Sequence, residues 1–146
     1  MGVEQKNVTR NQSTALYTLE QVFLFNNKYD SATFDNTTAG AEVALVSGML
    51  MFKLAADTVD VLEADTQIAS VVGIAAVDGE LVVANTATAA INIAISGEVA
   101  EEKIVLPGGI TLDTVVPTTM ITLRDTLNGL GFHLVSGVEN TKHDNN

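Results

Sequence analysis

The chain has 146 residues, a formal net charge of −11, 47% hydrophobic residues, no Cys and no Trp. That composition suits one compact domain and excludes global disorder, disulfide frameworks and thiolate metal sites. The acid surplus argues against binding nucleic acid or an anionic membrane, and without a run of 18 apolar residues no membrane span is expected.

Residues 1–14 are polar, so neither a secretory signal nor a good myristoylation site is expected at the N-terminus. From Ala15 to Phe25 the odd positions Ala15, Tyr17, Leu19, Phe23 and Phe25 are apolar, broken by Gln21. This period of two predicts a strand, with a short helix as the alternative. Asn26 to Asp30 carries turn chemistry, and Asp35 to Gly40 reads as a polar loop. Residues 1–30 hold three bases and three acids, while residues 31–146 hold four bases and fifteen acids. Tyr17, Phe23, Phe25, Tyr29 and Phe34 precede residue 35, and only Phe52 and Phe132 follow it. Such a segment can be a neutral, aromatic docking arm, or its rings can fill the domain's own core.

The folded domain is expected from Ala41. Val43–Val46 and Met49–Leu54 read as strands flanking Ser47-Gly48, and Val59–Glu63 as a third. Val71–Val77 is continuously apolar, which predicts a strand buried on both faces. Asp78-Gly79 predicts a hairpin turn with Leu81–Ala84 as the return strand. From Thr88 to Ser96 the residues alternate, and Ala89, Ile91, Ile93 and Ile95 should face the core. Gly97 is read as the end of that strand, Glu98–Leu106 as a further strand, and Pro107-Gly108-Gly109 as a turn. Turn signals every 8–15 residues fit a sandwich or barrel-like fold. A helix is favoured from Pro117 through Ile121, Leu123, Leu127 and Leu130, closed by Gly129 or Gly131. The competing reading is a hairpin at Asn128-Gly129. Phe132–Val138 closes the domain as a strand, and residues 139–146 form a frayed tail.

No group stands out as catalytic. His133 sits between Phe132 and Leu134 as a solvent-facing strand residue would, and His143 belongs to the tail, so no metal site is expected. Asp57, Asp60, Glu63 and Asp65 lack the spacing of a calcium loop and read as a solvated strand edge. Glu98, Glu101 and Glu102 have no stacking Trp or Tyr nearby and read as solvated charge rather than a glycosidase pair. Gly108-Gly109 lacks the Lys-Ser/Thr of a phosphate loop, and no Gly-x-Ser-x-Gly elbow occurs. No enzyme activity and no cofactor are expected.

Three stretches carry a family resemblance: Val72-Gly73-Ile74-Ala75, the strand Ala89–Ile95 running into Ser96-Gly97, and the ending from Leu123 to Phe132. Together they resemble the small all-β head decoration proteins of lambda-type bacteriophages over roughly Ala41 to Val138, with phage head-fibre proteins as a neighbouring possibility. The chain departs from that family in lacking its Trp residues and in its longer N-terminal segment. The resemblance implies a mainly β, compact sandwich or barrel-like (β-tulip-like) domain with one short C-terminal helix and an extended N-terminal arm. It divides the chain into an arm over residues 1–40, a decoration domain over 41–138 and a tail. It further implies a capsid-stabilising virion protein, assembled in the host cytoplasm, that sits as a homotrimer on three-fold or quasi-three-fold sites outside the expanded shell. The major capsid protein would be its partner, with no nucleic acid and no membrane. Residues Val8 to Phe25 would contact the capsid, with Val8, Tyr17, Leu19, Phe23 and Phe25 as the candidate contacts. The alternative, from the Thr/Asn-rich β composition, is a secreted β-sandwich adhesion or carbohydrate-binding module.

Overall fold

A computed structural model describes residues 21–37 and 39–136. The chain is mainly β, with a large mixed sheet and one short C-terminal helix. The strands are β1 (Phe23–Asp35), β2 (Val43–Val46), β3 (Leu50–Ala55), β4 (Thr58–Val61), β5 (Val71–Ala76), β6 (Glu80–Val83), β7 (Thr88–Ala100) and β8 (Phe132–Val135). Short 3-10 turns cover Asp65–Ser70 and Glu101–Lys103, and the helix α1 spans Leu123–Leu130.

The large sheet closes on itself. Its order is β1-β4-β3-β5-β7-β8, and β1 also pairs with β7, so five strands make a ring and β8 extends it. A ring of five cannot be antiparallel throughout, and one pair must be parallel. That pair is β1–β4, joined at Thr33↔Thr58 and Phe34↔Val59. Within the ring β7 runs antiparallel to both β1 and β5. From Gly97 onward it takes β8 as a parallel neighbour.

Alternation along the strands sorts the apolar residues into two cores. Phe34, Met51, Val59, Ala75, Ile91 and Ile93, from all five ring strands, pack together and are capped by Leu45 and Val83. Leu50, Phe52, Ile74, Ala94 and Val99 point the other way, against Leu112, Leu123, Leu127 and Phe132. β5 is therefore covered on both faces, as its unbroken apolar run implies. Ile91 and Ile93 of β7 are buried with Ala89 and Ile95 packed beside them, as the alternation implies.

Several local expectations are corrected. Leu81–Ala84 does not fold back on β5, because β5 already has β3 on one edge and β7 on the other. β6 turns away at Gly79 (φ 59°) and pairs with β2 in a separate two-stranded ribbon, Val46↔Glu80 to Val43↔Val83. Gly97 does not end its strand; β7 continues to Ala100 and gives way to the Glu101–Lys103 turn, so Glu98–Leu106 is not a strand of its own. The predicted turn at Asn26–Asp30 lies inside β1. The main sheet thus begins at Phe23, well before Ala41, and fully buried Phe34 belongs to the core.

The helix starts later than the sequence suggests, and no hairpin forms at Asn128-Gly129, which lie within it. Pro117 sits in a loop closed by the Val115↔Thr122 bridge. Thr122 is the N-cap, its Oγ1 accepting from Asp125 N at 3.1 Å, and Gly131 takes the left-handed C-terminal position at φ 108°. Thr122→Ala is expected to cost about 1 kcal/mol. A urea unfolding curve with a lower midpoint and an unchanged slope would register it.

Candidate functional site: the aromatic root of β1

β1 pairs with β7 through three irregularities, between Phe23 and Phe25, Phe25 and Lys28, and Lys28 and Tyr29. Asn26 takes a left-handed φ of 58°, and Asn27 Nδ2 donates to the Ser96 carbonyl at 3.4 Å and the Glu98 carbonyl at 3.1 Å. The side-chain amide thereby replaces ladder bonds that the extra residue displaces. These bulges coil the strand tightly. In a straight strand Phe23 and Tyr29 would stand about 20 Å apart. Here their ring centroids lie 5.7 Å apart, edge to face at 83°.

The rings differ in setting. Phe23 packs against the larger core, Tyr29 is 51% exposed and Phe25 is 63% exposed. Of the predicted contacts, Phe23 and Phe25 therefore stand at one end of the barrel, while Val8, Tyr17 and Leu19 lie outside the described residues. Tyr29, one of the aromatics before residue 35, falls outside the predicted contacts because Asn26–Asp30 reads as a turn. The doubled asparagine was the available signal, since Asn tolerates the left-handed conformation a bulge requires.

Beside the pair lies an open trough of about 800 Å³ lined by Phe23, Tyr29, Ser47, Asp78 and Asn92 among others. It adjoins a second depression of about 430 Å³, with Ala76, Val77, Asp78 and Asn92 shared between them. Among its described lining residues Asp78 is the sole carboxylate, there is no histidine, and no catalytic constellation forms. The Ser47 hydroxyl is occupied, donating to the Val77 carbonyl at 2.8 Å and accepting from Val77 N at 2.9 Å.

Elsewhere, His133 is exposed on β8 in register with Glu98. No cluster of metal-ligating side chains occurs among the described residues. Asp60 is buried rather than at a solvated edge, with its Oδ1 accepting from Val61 N at 2.7 Å. Glu101 is not free solvated charge either: it pairs with Arg124 of α1, whose Nε also lies 3.6 Å from Asp113 Oδ1. The hydrogen bond that Arg124 donates to the Glu101 carboxylate is the main reason its guanidinium pKa is raised. Both ends of the pair are partly exposed, so it fixes geometry more than it stabilises.

Comparison with protein-family models and with curated proteins finds no match for this chain.

Proposed function

We propose that this chain is a structural virion protein that binds the outside of an expanded phage capsid as a homotrimer and stabilises the shell. The observation that carries this reading is the aromatic root of β1. Phe23 and Tyr29 pair edge to face, and Phe25 is exposed near them in sequence, where residues 1–20 join a barrel beside a trough whose described lining holds no catalytic constellation. Val22 anchors that root, its carbonyl accepting from Ala100 N at 2.9 Å. A neutral N-terminal segment continuing from a rigid root suits strand addition to a partner sheet, in which main-chain hydrogen bonds bind and alternate side chains select. Ordering each segment costs entropy, and three on one trimer restore affinity through effective concentration. On this reading the protein is not an enzyme, needs no cofactor, and meets the major capsid protein after assembly in the host cytoplasm.

Deleting residues 1–20 leaves β1 and the Val22 bond in place. The truncated chain is expected to stay folded yet bind expanded capsids at least about tenfold more weakly, as loss of apolar anchors implies. Undiminished co-sedimentation with capsids would overturn the arm.

A second reading, a secreted adhesion or carbohydrate-binding module, draws on the trough itself. An aromatic wall at Tyr29 beside Asp78 and Asn92 is the chemistry that holds a sugar ring. A glycan-array signal lost in Tyr29→Ala, with no capsid binding, would favour it.

A further inference from the structure

The trough beside β1 is where residues 1–20 join the barrel. Gln21 and Val22 line it next to Phe23, so the chain enters the barrel along the trough's own wall. Val46, Ala76 and Val77 add apolar surface, and the second depression continues the hollow past Asp78 and Asn92. Twenty residues precede Gln21. Fully extended they reach about 66 Å at about 3.3 Å per residue, so length does not limit where their last few residues lie.

The pattern of those last residues matches the trough. Ala15, Tyr17 and Leu19 are apolar at a spacing of two, and Gln21, the next in the series, is itself a lining residue. Alternate side chains of an extended chain share a face. A chain continued from Gln21 in that conformation turns Leu19 and Tyr17 to the same side as Gln21. The trough, at about 800 Å³, has the volume of a small-molecule site and takes both side chains.

We infer that residues 15–20 of the same chain occupy this trough in the free protein, with Tyr17 and Leu19 as the inserted side chains. The tether selects this occupant. The segment is covalently joined to the trough's wall, so it meets the site at an effective concentration in the millimolar range, above that of any separate molecule under ordinary conditions. Charge does not oppose it. Lys6 and Arg10 balance Glu4 and Glu20, so the net −11 belongs to the rest of the chain. The described lining of the two depressions includes Asp78 and Glu80 and no base. A second copy would bring a like-charged body to that rim, whereas the segment is neutral. Docking takes apolar side chains out of water. A partner that uses the segment must first draw it out, and its apparent affinity falls by the undocked fraction. Docking is a property of the free chain and holds whether or not a capsid is the partner.

Chymotrypsin, which cuts after Tyr and Leu, tests this on the full chain. Cleavage within residues 15–20 is timed by mass spectrometry for wild type, Leu19→Glu and Asn92→Glu. Each rate is divided by that of a free peptide of residues 11–22 with the same sequence. Leu19→Glu removes an inserted side chain. Asn92 is exposed on β7 and lines both depressions, so a carboxylate there disfavours apolar side chains in the trough without touching the core. Wild type is expected to be cut at least about tenfold more slowly than its peptide, and both variants about fivefold or more faster than wild type. Intact bonds after Phe25 and Tyr29 show that each chain is folded. Should Asn92→Glu expose those bonds, Asn92→Asp carries the same charge in the native shape and replaces it. A wild type cut as fast as its peptide would overturn the docking. Protection that survives Leu19→Glu would overturn the inserted side chain, and protection that survives the Asn92 variants would place the segment outside the trough. Protection that disappears on hundredfold dilution would give the trough to a second copy and overturn the same-chain occupant.

Discussion

Replacing Asn36 by Asp is expected to destabilise the protein by about 3 kcal/mol or more at neutral pH. Asn36 is fully buried at the end of β1. Its Nδ2 faces three carbonyl oxygens, Ala41 at 2.9 Å, Val83 at 3.0 Å and Ala84 at 3.1 Å. Its backbone N donates to Ala87 at 3.0 Å, and its carbonyl accepts from Thr86 at 2.9 Å. One side chain therefore ties the end of a ring strand to the loop before β2 and to the end of β6. Aspartate has nearly the same shape and opposite chemistry. Ionised, it offers no hydrogen and sets a negative charge against three acceptors, with no cation among those contacts. Its folded-state pKa would be raised, so the folded state would hold the proton where the unfolded state has released it. The extra instability is therefore smallest below the unfolded pKa of about 4 and grows as pH rises toward the folded pKa. Chemical unfolding of both proteins from pH 4 to pH 8 measures the gap. A gap that does not widen over that range would contradict the account, and Asn36→Leu, which cannot titrate, is the control.

Asn36 also marks where local reading of the sequence stops. The loop from Asp35 to Gly40 was legible as polar turn chemistry, but nothing local says that one of its amides would be sealed inside. Burial of Asn36 depends on Val83 and Ala84, nearly fifty positions later, arriving above it. The same limit governs strand partners. Val71–Val77 announces itself as buried on both faces, and Ala89–Ile95 shows which residues point inward. A period of two gives a strand and its faces; it does not give its neighbours. So β6 could be foreseen as a strand, while its pairing with β2 instead of β5 could not. That choice was made by β3 and β7, which occupy both edges of β5. The parallel β1–β4 pair has a similar origin, since closing an odd ring requires one.

The candidate site was half legible for a related reason. Aromatic enrichment before residue 35 is visible in the sequence and draws attention to Phe23 and Phe25. The rings divide by burial. Phe34 is core, Phe25 is surface, and Phe23 lies between, touching the core on one side and Tyr29 on the other. The loop closed by the Val115↔Thr122 bridge falls within the favoured helix, because Pro117 followed by apolar residues fits a helical start. The later cap at Thr122 was the competing signal, with Asp125 three residues on.

Replacing Gly97 by Val is expected to be severely damaging to the barrel, costing about 4 kcal/mol or more. Asn26–Asp30 reads as a turn and Gly97 as a strand end, and the two readings fail together because these residues face each other. Asn26 and Asn27 form the bulge on β1, and Gly97 is the position of β7 that receives it. Gly97 has φ 115°, which disfavours any side chain. A Cβ there would stand 2.6 Å from Asn27 Cα, 2.6 Å from its Nδ2 and 2.8 Å from the Asn26 carbonyl oxygen. A β-branched residue enlarges that clash and strips the Asn27 amide from Ser96 and Glu98. β1 would have to part from β7, opening the ring and separating Phe23 from Tyr29. Gly97→Ala should show the same effect at lower cost, about 2–3 kcal/mol. The decisive comparison is Gly97→Ala with and without Asn27→Ala. If a movable side chain caused the clash, trimming Asn27 would recover most of the loss. Two of the three contacts are backbone atoms, so the double variant is expected to be no more stable than Gly97→Ala alone. Recovery of more than about half the loss, read from urea midpoints, would show that β1 can retreat from β7 and that the bulge does not depend on Gly97.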